Sequence, residues 1–267
     1  MMVWLNGEWK EEGAACLATD DGAFLRGEGV FETMLSRGGK VFELKKHWAR
    51  LGEGCGRFGL GLMGEGEAET ICEELLRRNS FTSSEERVRV RVTRSADHLL
   101  FTAANGGKRD GGLRLMVSPY RRNEHSALAG IKAISYAENS LALAEGRRAG
   151  ADEVLFANSQ GEWCEGAWSN IFAVEKGRVL TPPLSSGCLP GVTRELVIGL
   201  ARAQGREVVE VPLAIERVGE ADELFLTSSL LGIGAVQRFG EQILAAGEVT
   251  SALKEALAKY EKASLGC

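Results

Sequence analysis

The chain has 267 residues, of which 44% are hydrophobic and 26% are charged. These fractions are those of globular proteins, so they exclude a disordered polymer and a fibrous protein. The length predicts about two domains or one large one. The formal net charge is -5, and no segment concentrates lysine and arginine enough to follow a phosphate backbone, so nucleic acid is not an expected partner.

Apolar runs and cysteines exclude further classes of protein. No uninterrupted apolar run approaches the roughly 18 residues that a membrane helix needs, so we expect no membrane partner. The N-terminal residues lack the basic and apolar parts of a signal peptide, which predicts a cytoplasmic protein. Six cysteines stand singly and only three histidines occur, so we expect reduced thiols and no metal centre.

The N-terminal half predicts two hairpins, two helices and a strand. Asn6–Gly7 and Gly38–Gly39 are typical of the tight turns of hairpins. Apolar residues at helical spacing predict one helix beginning at Leu44 and another over Glu67–Asn79. Arginine and valine alternate over Arg87–Arg94, which predicts a strand with one apolar and one basic face.

The basic face of that strand allows two interpretations. The arginines are either solvated, or one of them turns into a cleft and holds a substrate carboxylate through two parallel hydrogen bonds. The sequence leaves this choice open.

A polar segment with a proline, at 118–125, is where we place the domain boundary, which gives domains 1–120 and 121–267. Strands and helices interleave on both sides of it, so the predicted fold class is mixed, α+β. The predicted strands around and beyond the boundary are 113–117, 154–158, 162–164, 170–174, 178–181, 207–211 and 223–227. The predicted helices are 139–148, 194–204, 214–220 and 250–262.

Common catalytic signatures are missing from the sequence. There is no phosphate-binding GxxxxGK loop, no GxSxG serine motif and no HExxH metal pair. The segment Gly27–Glu32 has glutamate where a dinucleotide-binding fingerprint needs its third glycine. Nucleotide binding and serine or zinc hydrolysis therefore have little support.

Two charged residues stand among small and apolar neighbours. Lys132 is either a surface lysine with a buried stem or a desolvated amine able to form a Schiff base with a carbonyl. Glu165 is either a paired surface charge or a buried carboxylate that keeps a pyridine nitrogen protonated.

Two further segments could bind an anion. Residues 187–194 end a loop and open a helix, whose free N–H groups could accept a phosphate with help from the Thr193 hydroxyl. The alternative is a simple loop with Thr193 as a cap. The hydroxyls of Thr227–Ser229, just past a buried strand, have the same ambiguity.

These signals, taken in their order along the chain, resemble the class IV aminotransferase family. This family comprises the fold-type-IV pyridoxal phosphate enzymes, including branched-chain aminotransferase, D-amino acid aminotransferase and aminodeoxychorismate lyase. The resemblance spans almost the whole chain. Its motifs are Asn6–Gly7, 27–33, 47–51, Thr93–Arg94, 130–132, 150–153, 165–166 with 169–170, 189–194, 221–223 and 227–229.

The resemblance implies the cofactor pyridoxal 5'-phosphate and a role for each matching residue. Lys132 would form the Schiff base and move the proton between the substrate Cα and C4′ of the cofactor. Arg50 would hold the phosphate, Glu165 would pair with the pyridine nitrogen, and Tyr136 would lie beside the ring.

The rest of the expected phosphate site comes from later segments. Val192 and Thr193 would contribute backbone amides and a hydroxyl, together with Ser228 or Ser229. The resemblance also implies two domains with the cofactor between them, a small amino substrate, and a homodimer whose neighbouring subunit closes each site.

Fewer residues indicate the subgroup within this family. The Arg-x-His element of D-amino acid aminotransferases is absent after Thr93–Arg94, and both motifs of the branched-chain enzymes are altered. Ser229–Gly232 and 128–132 look more like aminodeoxychorismate lyase, which predicts release of pyruvate and 4-aminobenzoate. The alternatives are an amino acid:2-oxo acid aminotransferase and a cofactor-binding scaffold without turnover.

Overall fold

The computed structural model describes residues 1–107, 111–244 and 247–266. The chain forms two compact units. One contains Met1–Lys108, Ile131–Tyr136 and Glu261–Cys267, and the other contains Arg109–Gly130 and Ala137–Tyr260. In the part of the chain that is described, no helix combines the length and apolar character needed to cross a bilayer.

The first unit is built on a six-stranded antiparallel sheet with the order β2-β1-β6-β5-β3-β4. Its strands are β1 (Met2–Leu5), β2 (Glu8–Glu11), β3 (Val30–Arg37), β4 (Lys40–Val41), β5 (Val88–Arg94) and β6 (Leu99–Asn105). Its helices are α1 (Gly22–Arg26), α2 (Leu44–Arg57) and α3 (Glu65–Arg78).

Local sequence explains most of this unit. Asn6 and Gly7 have positive φ angles of 51° and 95°, the geometry of a tight hairpin turn, and this confirms the first predicted hairpin. The valines of β5 are buried in one core with the apolar stripes of α2 and α3. Strand β6 and helix α1 were not predicted.

The second unit contains a nine-stranded mixed sheet, whose main path is β12-β11-β10-β13-β14-β7-β8-β9 with β15 paired to β14. The strands are β7 (Leu113–Arg122), β8 (Glu153–Asn158), β9 (Trp163–Gly166), β10 (Asn170–Glu175), β11 (Arg178–Thr181), β12 (Val208–Glu210), β13 (Glu223–Ser228), β14 (Gly232–Phe239) and β15 (Gln242–Ile243). The helices are α4 (Ala137–Arg148), α5 (Val192–Ala203) and α6 (Glu248–Leu265).

Strand β13 lies in the middle of this sheet and is covered on both faces. Leu224 and Leu226 belong to one apolar core, and Phe225 belongs to a second core on the other face, stacked on Phe172 of β10. Burial on both faces is the reason why this strand is a continuous apolar run.

Three elements of the second unit differ from the predictions. Strand β7 continues through Pro119 to Arg122, into the segment where the sequence placed the domain boundary. The predicted helix at 214–220 is a 3₁₀ helix over Ile215–Glu220. Strand β14 was not predicted at all, and its pairing with β13 and β7 joins the two halves of the sheet.

Candidate active site

The segment 131–136, which carries Lys132, is held on the first unit by the start of β3. Phe31 donates its backbone N–H to the Lys132 carbonyl at 2.9 Å, and Ile134 donates its own to the Gly29 carbonyl at 2.9 Å. Val30 and Ala133 form an isolated antiparallel bridge. Backbone hydrogen bonds thus fix the lysine in register with β3.

Two glycines make this close approach possible. A Cβ on Gly29 would lie 2.4 Å from the Arg94 carbonyl oxygen, and one on Gly27 would lie 2.4 Å from the Ser135 Oγ. Both glycines also have positive φ angles, 141° and 69°. The Gly-Glu-Gly sequence therefore serves the packing of the lysine segment.

Aromatic rings flank the amine of Lys132. Its Nζ lies 4.4 Å from the centroid of the Phe31 ring and 5.5 Å from that of Tyr136. These two rings meet edge to face, with centroids 5.4 Å apart. The structure thus brings together two of the predicted site residues, Lys132 and Tyr136, around Phe31.

Arg50 is anchored by a buried carboxylate. Its Nε and Nη2 donate to the two carboxylate oxygens of Glu32 at 2.7 and 2.8 Å, and His47 Nδ1 lies 2.8 Å from the same carboxylate. Burial raises the pKa of Glu32, but the charge of Arg50 and the hydrogen bond to His47 outweigh it and lower the pKa to about 2. Glu32 is therefore an ionised group that orients the guanidinium.

Glu32 and His47 lie in two motifs of the family resemblance, but the resemblance assigned neither residue a role. The available signal was the spacing of His47 and Arg50, three residues apart and hence on one face of α2. The partner on β3 could not be found from spacing, because it depends on how β3 packs against α2.

Glu165 lies on β9 of the second unit, and its side chain is 14% exposed. Its Oε2 accepts the backbone N–H of Leu189 at 2.9 Å. Its Oε1 is 3.6 Å from Nε of Arg122, which also pairs with Glu138 at 2.6 Å and lies over the Phe156 ring. The two carboxylate oxygens of Glu165 thus face a guanidinium and a backbone N–H.

The N-terminus of α5 is a second feature of this unit. Its N-cap is Gly191, so no side chain caps the first turn, and Val192 and Thr193 are buried there. A Cβ on Gly191 would lie 2.0 Å from the Asn170 side-chain oxygen. Asn170 in turn donates to the Leu189 carbonyl at 2.9 Å and so fixes the loop before the helix. The positive end of the helix dipole favours an anion.

The hydroxyls after β13 are the third feature. Thr227 Oγ1 is buried and has no hydrogen-bond partner among the described residues, whereas Ser228 Oγ accepts the Leu231 N–H at 3.4 Å. A buried hydroxyl without a partner is unusual and is consistent with a ligand that supplies one. The predicted site contained Ser228 and Ser229 but left out Thr227.

The candidate residues are thus distributed over both units. Lys132, Tyr136 and Arg50 belong to the first, and Glu165, Val192, Thr193, Ser228 and Ser229 belong to the second. Within the first unit, an amine and an anchored guanidinium are groups suited to an aldehyde and a phosphate. Within the second, an uncapped helix start and a carboxylate are groups suited to a phosphate and a pyridine nitrogen.

The comparison with known families identifies the family to which the chain belongs. The model of the family described as "Amino-transferase class IV" matches residues 29–239. The chain belongs to the class IV aminotransferases. Enzymes of this family depend on pyridoxal phosphate, so the predicted enzyme class and cofactor are confirmed.

Individual class IV relatives differ in activity. The chain is 30% identical to the aminodeoxychorismate lyase of Bacillus subtilis, over 95% of this chain and 92% of that protein. It is 29% identical to the branched-chain-amino-acid aminotransferase of Escherichia coli, over 88% and 84%. The crystal structure of a branched-chain aminotransferase from Thermoproteus uzoniensis superposes with a TM-score of 0.92 at 28% identity, covering 100% of this chain and 95% of that one.

Proposed function

We propose that this class IV enzyme is a 4-amino-4-deoxychorismate lyase, which releases pyruvate and 4-aminobenzoate. The observation that carries the proposal is the turn between β13 and β14. Ser228, the last residue of β13, is followed by Ser229, two leucines and Gly232, a pattern similar to that of the lyases. The small Gly-Thr-Ala element of the branched-chain enzymes is absent.

Each site residue of the first unit has a proposed role. Lys132 would hold the cofactor aldehyde through its amine and would move a proton at the carbon that bears the substrate nitrogen. Arg50, oriented by Glu32, would bind the phosphate, and Tyr136 would lie beside the pyridine ring. Bound pyridoxal phosphate supplies an electron sink for the carbon that loses the proton.

The second unit supplies the remaining groups. The N–H groups of Val192 and Thr193, the Thr193 hydroxyl and the hydroxyl of Ser228 or Ser229 bind the phosphate. Glu165 keeps the pyridine nitrogen protonated. The expected homodimer, which rests on the family resemblance, and the expected cytoplasmic location belong to this proposal as well.

An amino acid:2-oxo acid aminotransferase is the second candidate. It is favoured by the similarity to branched-chain aminotransferases over nearly the full chain. The two reactions diverge after the proton has been removed. A transaminase keeps the nitrogen and must meet a 2-oxo acid before it turns over again, whereas the lyase expels pyruvate and gains the stability of an aromatic ring.

The test uses this difference. Holoenzyme is incubated with aminodeoxychorismate and no added oxo acid, and pyruvate and 4-aminobenzoate are counted per active site. The lyase proposal predicts many turnovers of both products. If this mixture stays inert while leucine with 2-oxoglutarate yields glutamate, the lyase proposal is wrong and the aminotransferase replaces it.

A further inference from the structure

Glu153, the first residue of β8, is a buried carboxylate of the second unit. It is 7% exposed, and no lysine or arginine forms an ion pair with it in the part of the chain that the structure describes. Burial raises its pKa, and the hydrogen bonds that it accepts from neutral donors offset that rise only in part. A buried carboxylate without a cation is costly, so the groups that donate to it indicate its role.

Most of these donors lie in one turn, residues 166–169. Oε1 of Glu153 accepts the Ala167 N–H at 3.1 Å, and Oε2 accepts the Ser169 hydroxyl at 3.2 Å. The backbone of Trp168 donates to the same carboxylate. The carboxylate therefore lies inside the 166–169 turn and binds three consecutive residues of it.

Gly166 makes this turn tight enough to enclose the carboxylate. Its N–H donates to the Ser169 carbonyl at 2.7 Å. A Cβ on Gly166 would overlap the Ser169 hydroxyl and lie 3.3 Å from the carboxyl carbon of Glu153. Because the turn encloses the carboxylate so closely, removal of the carboxylate leaves buried donors unpaired and allows the turn to shift.

The 166–169 turn connects two residues that hold the same loop. Glu165 precedes it and accepts the Leu189 N–H at 2.9 Å, whereas Asn170 follows it and donates to the Leu189 carbonyl at 2.9 Å. Leu189 leads through two residues into the N-terminus of α5. The positions of the Glu165 carboxylate and of the start of α5 therefore both depend on this turn.

We propose that Glu153 is a positioning residue for Glu165. By binding the 166–169 turn, it holds the Glu165 carboxylate in place for the pyridine nitrogen of the cofactor. A site residue must be held to within about 0.5 Å by groups that are themselves rigid, and a carboxylate bound by several fixed donors is such a group. The proposal rests on the role of Glu165 in the proposed function, and it applies equally to the lyase and the aminotransferase.

The test measures the bound cofactor rather than turnover. Pyridoxal phosphate labelled with ¹⁵N in its ring is bound to each protein, and NMR of the ring nitrogen reports whether it is protonated. The variants are Glu165→Gln, Glu153→Leu, which removes every acceptor, and Glu153→Gln, which keeps one acceptor oxygen. Titration of each apoprotein with pyridoxal phosphate, followed by absorbance, gives the cofactor affinity.

Glu223 provides the matched control. It is 8% exposed and begins β13, and its carboxylate accepts the N–H groups of Val249 and Thr250 at 3.0 and 2.8 Å and the Thr250 hydroxyl at 2.6 Å. It is thus the same kind of buried carboxylate, but it binds the first turn of α6. Glu223→Leu shows what the loss of such a carboxylate does to the fold alone.

We expect Glu165→Gln to move the nitrogen signal toward that of a neutral pyridine. Glu153→Leu should move it in the same direction, although Glu165 is unaltered, and should weaken cofactor binding about 10-fold. Glu153→Gln should give a smaller movement and Glu223→Leu none. If Glu153→Leu does not fold, Glu153→Gln carries the test against Glu223→Gln, with the same directions expected.

Two results would overturn the proposal: a nitrogen signal that moves in Glu165→Gln but not in the Glu153 variants, or an equal movement in the Glu223 variant. If the signal stays unchanged even in Glu165→Gln, the proposed role of Glu165 is wrong and the positioning role falls with it. Failure of the lyase assignment looks different. In that case aminodeoxychorismate stays inert, but the nitrogen signal still responds to the change at Glu153.

Discussion

The buried pair of Glu32 and Arg50 offers a quantitative test of how the arginine that we propose to bind the phosphate is oriented. We consider Glu32→Gln, which keeps the shape of the side chain but removes its charge. Glu32 is 1% exposed and Arg50 is 11% exposed, so solvent cannot replace the lost partner. The variant leaves a guanidinium facing a neutral amide.

The size of the effect follows from the pKa of Glu32. Its ordinary value is 4.5 and the folded protein lowers it to about 2. Each pKa unit corresponds to about 1.4 kcal/mol, so the ionised carboxylate contributes about 3.5 kcal/mol to the free energy of unfolding at neutral pH.

The sign of the pH dependence is fixed by the direction of the shift. Because folding lowers this pKa, the contribution is complete above pH 4.5 and is lost as the pH falls toward about 2. We expect the difference in free energy of unfolding between the unaltered protein and Glu32→Gln to shrink by about 1 kcal/mol by about pH 3.5.

The assay is urea denaturation of the unaltered protein and the variant, with saturating cofactor, at neutral pH and at about pH 3.5. The matched control is Glu74→Gln on α3. Hydrogen bonds from Arg77 and Arg78 lower the pKa of Glu74 to about 2 as well, but the pair is exposed. Solvent screens such a pair, so we expect stability close to that of the unaltered protein. Equal stability of the two variants, or a Glu32→Gln deficit that does not change with pH, would refute the reasoning.

Three further predictions concern single residues. Lys132→Ala should lose the covalent cofactor link, so borohydride reduction and peptide mapping should label Lys132 in the unaltered protein and no lysine in the variant; a label elsewhere contradicts the assignment. Glu165→Gln should still bind cofactor, as seen by absorbance, while kcat falls about 100-fold or more, and unchanged turnover would remove Glu165 from the site. Gly29→Ala should lower stability by about 2 kcal/mol because its Cβ meets the Arg94 carbonyl. Gly7→Ala is the control, because Gly7 also has a positive φ but a Cβ there would meet no clash. Equal thermal unfolding midpoints of the Gly29→Ala and Gly7→Ala variants would refute the packing argument.

The sequence predicted the elements whose cause is local. The turn at Asn6–Gly7 follows from residues that tolerate positive φ, and β5 follows from strict alternation. Strand β6 ends in two alanines and an asparagine, and β14 contains two glycines, residues with little intrinsic preference for strands. These two strands are stabilised by neighbours that are distant in sequence, so their own residues do not reveal them.

The same distinction holds at the candidate site. Lys132 and Glu165 were selected by their apolar surroundings and by family motifs. Alternation could not show that Arg91 is half-buried against Phe31 while Arg89 is exposed, because the two arginines share one face of β5. The anchoring of Arg50 by Glu32 likewise depends on tertiary packing.

The three separate passages of the chain through the first unit have a consequence for its synthesis. The N-terminal stretch ending at Lys108 is made first, yet Ile131–Tyr136 and the residues from Glu261 onward belong to the same unit. A nascent chain released only up to Gly130 leaves the Phe31 N–H and the Gly29 carbonyl without the partners they have in the finished protein. This unit is therefore completed after translation of almost the whole message, and a gene fragment cut at Lys108 would encode its sheet without the segment that carries Lys132.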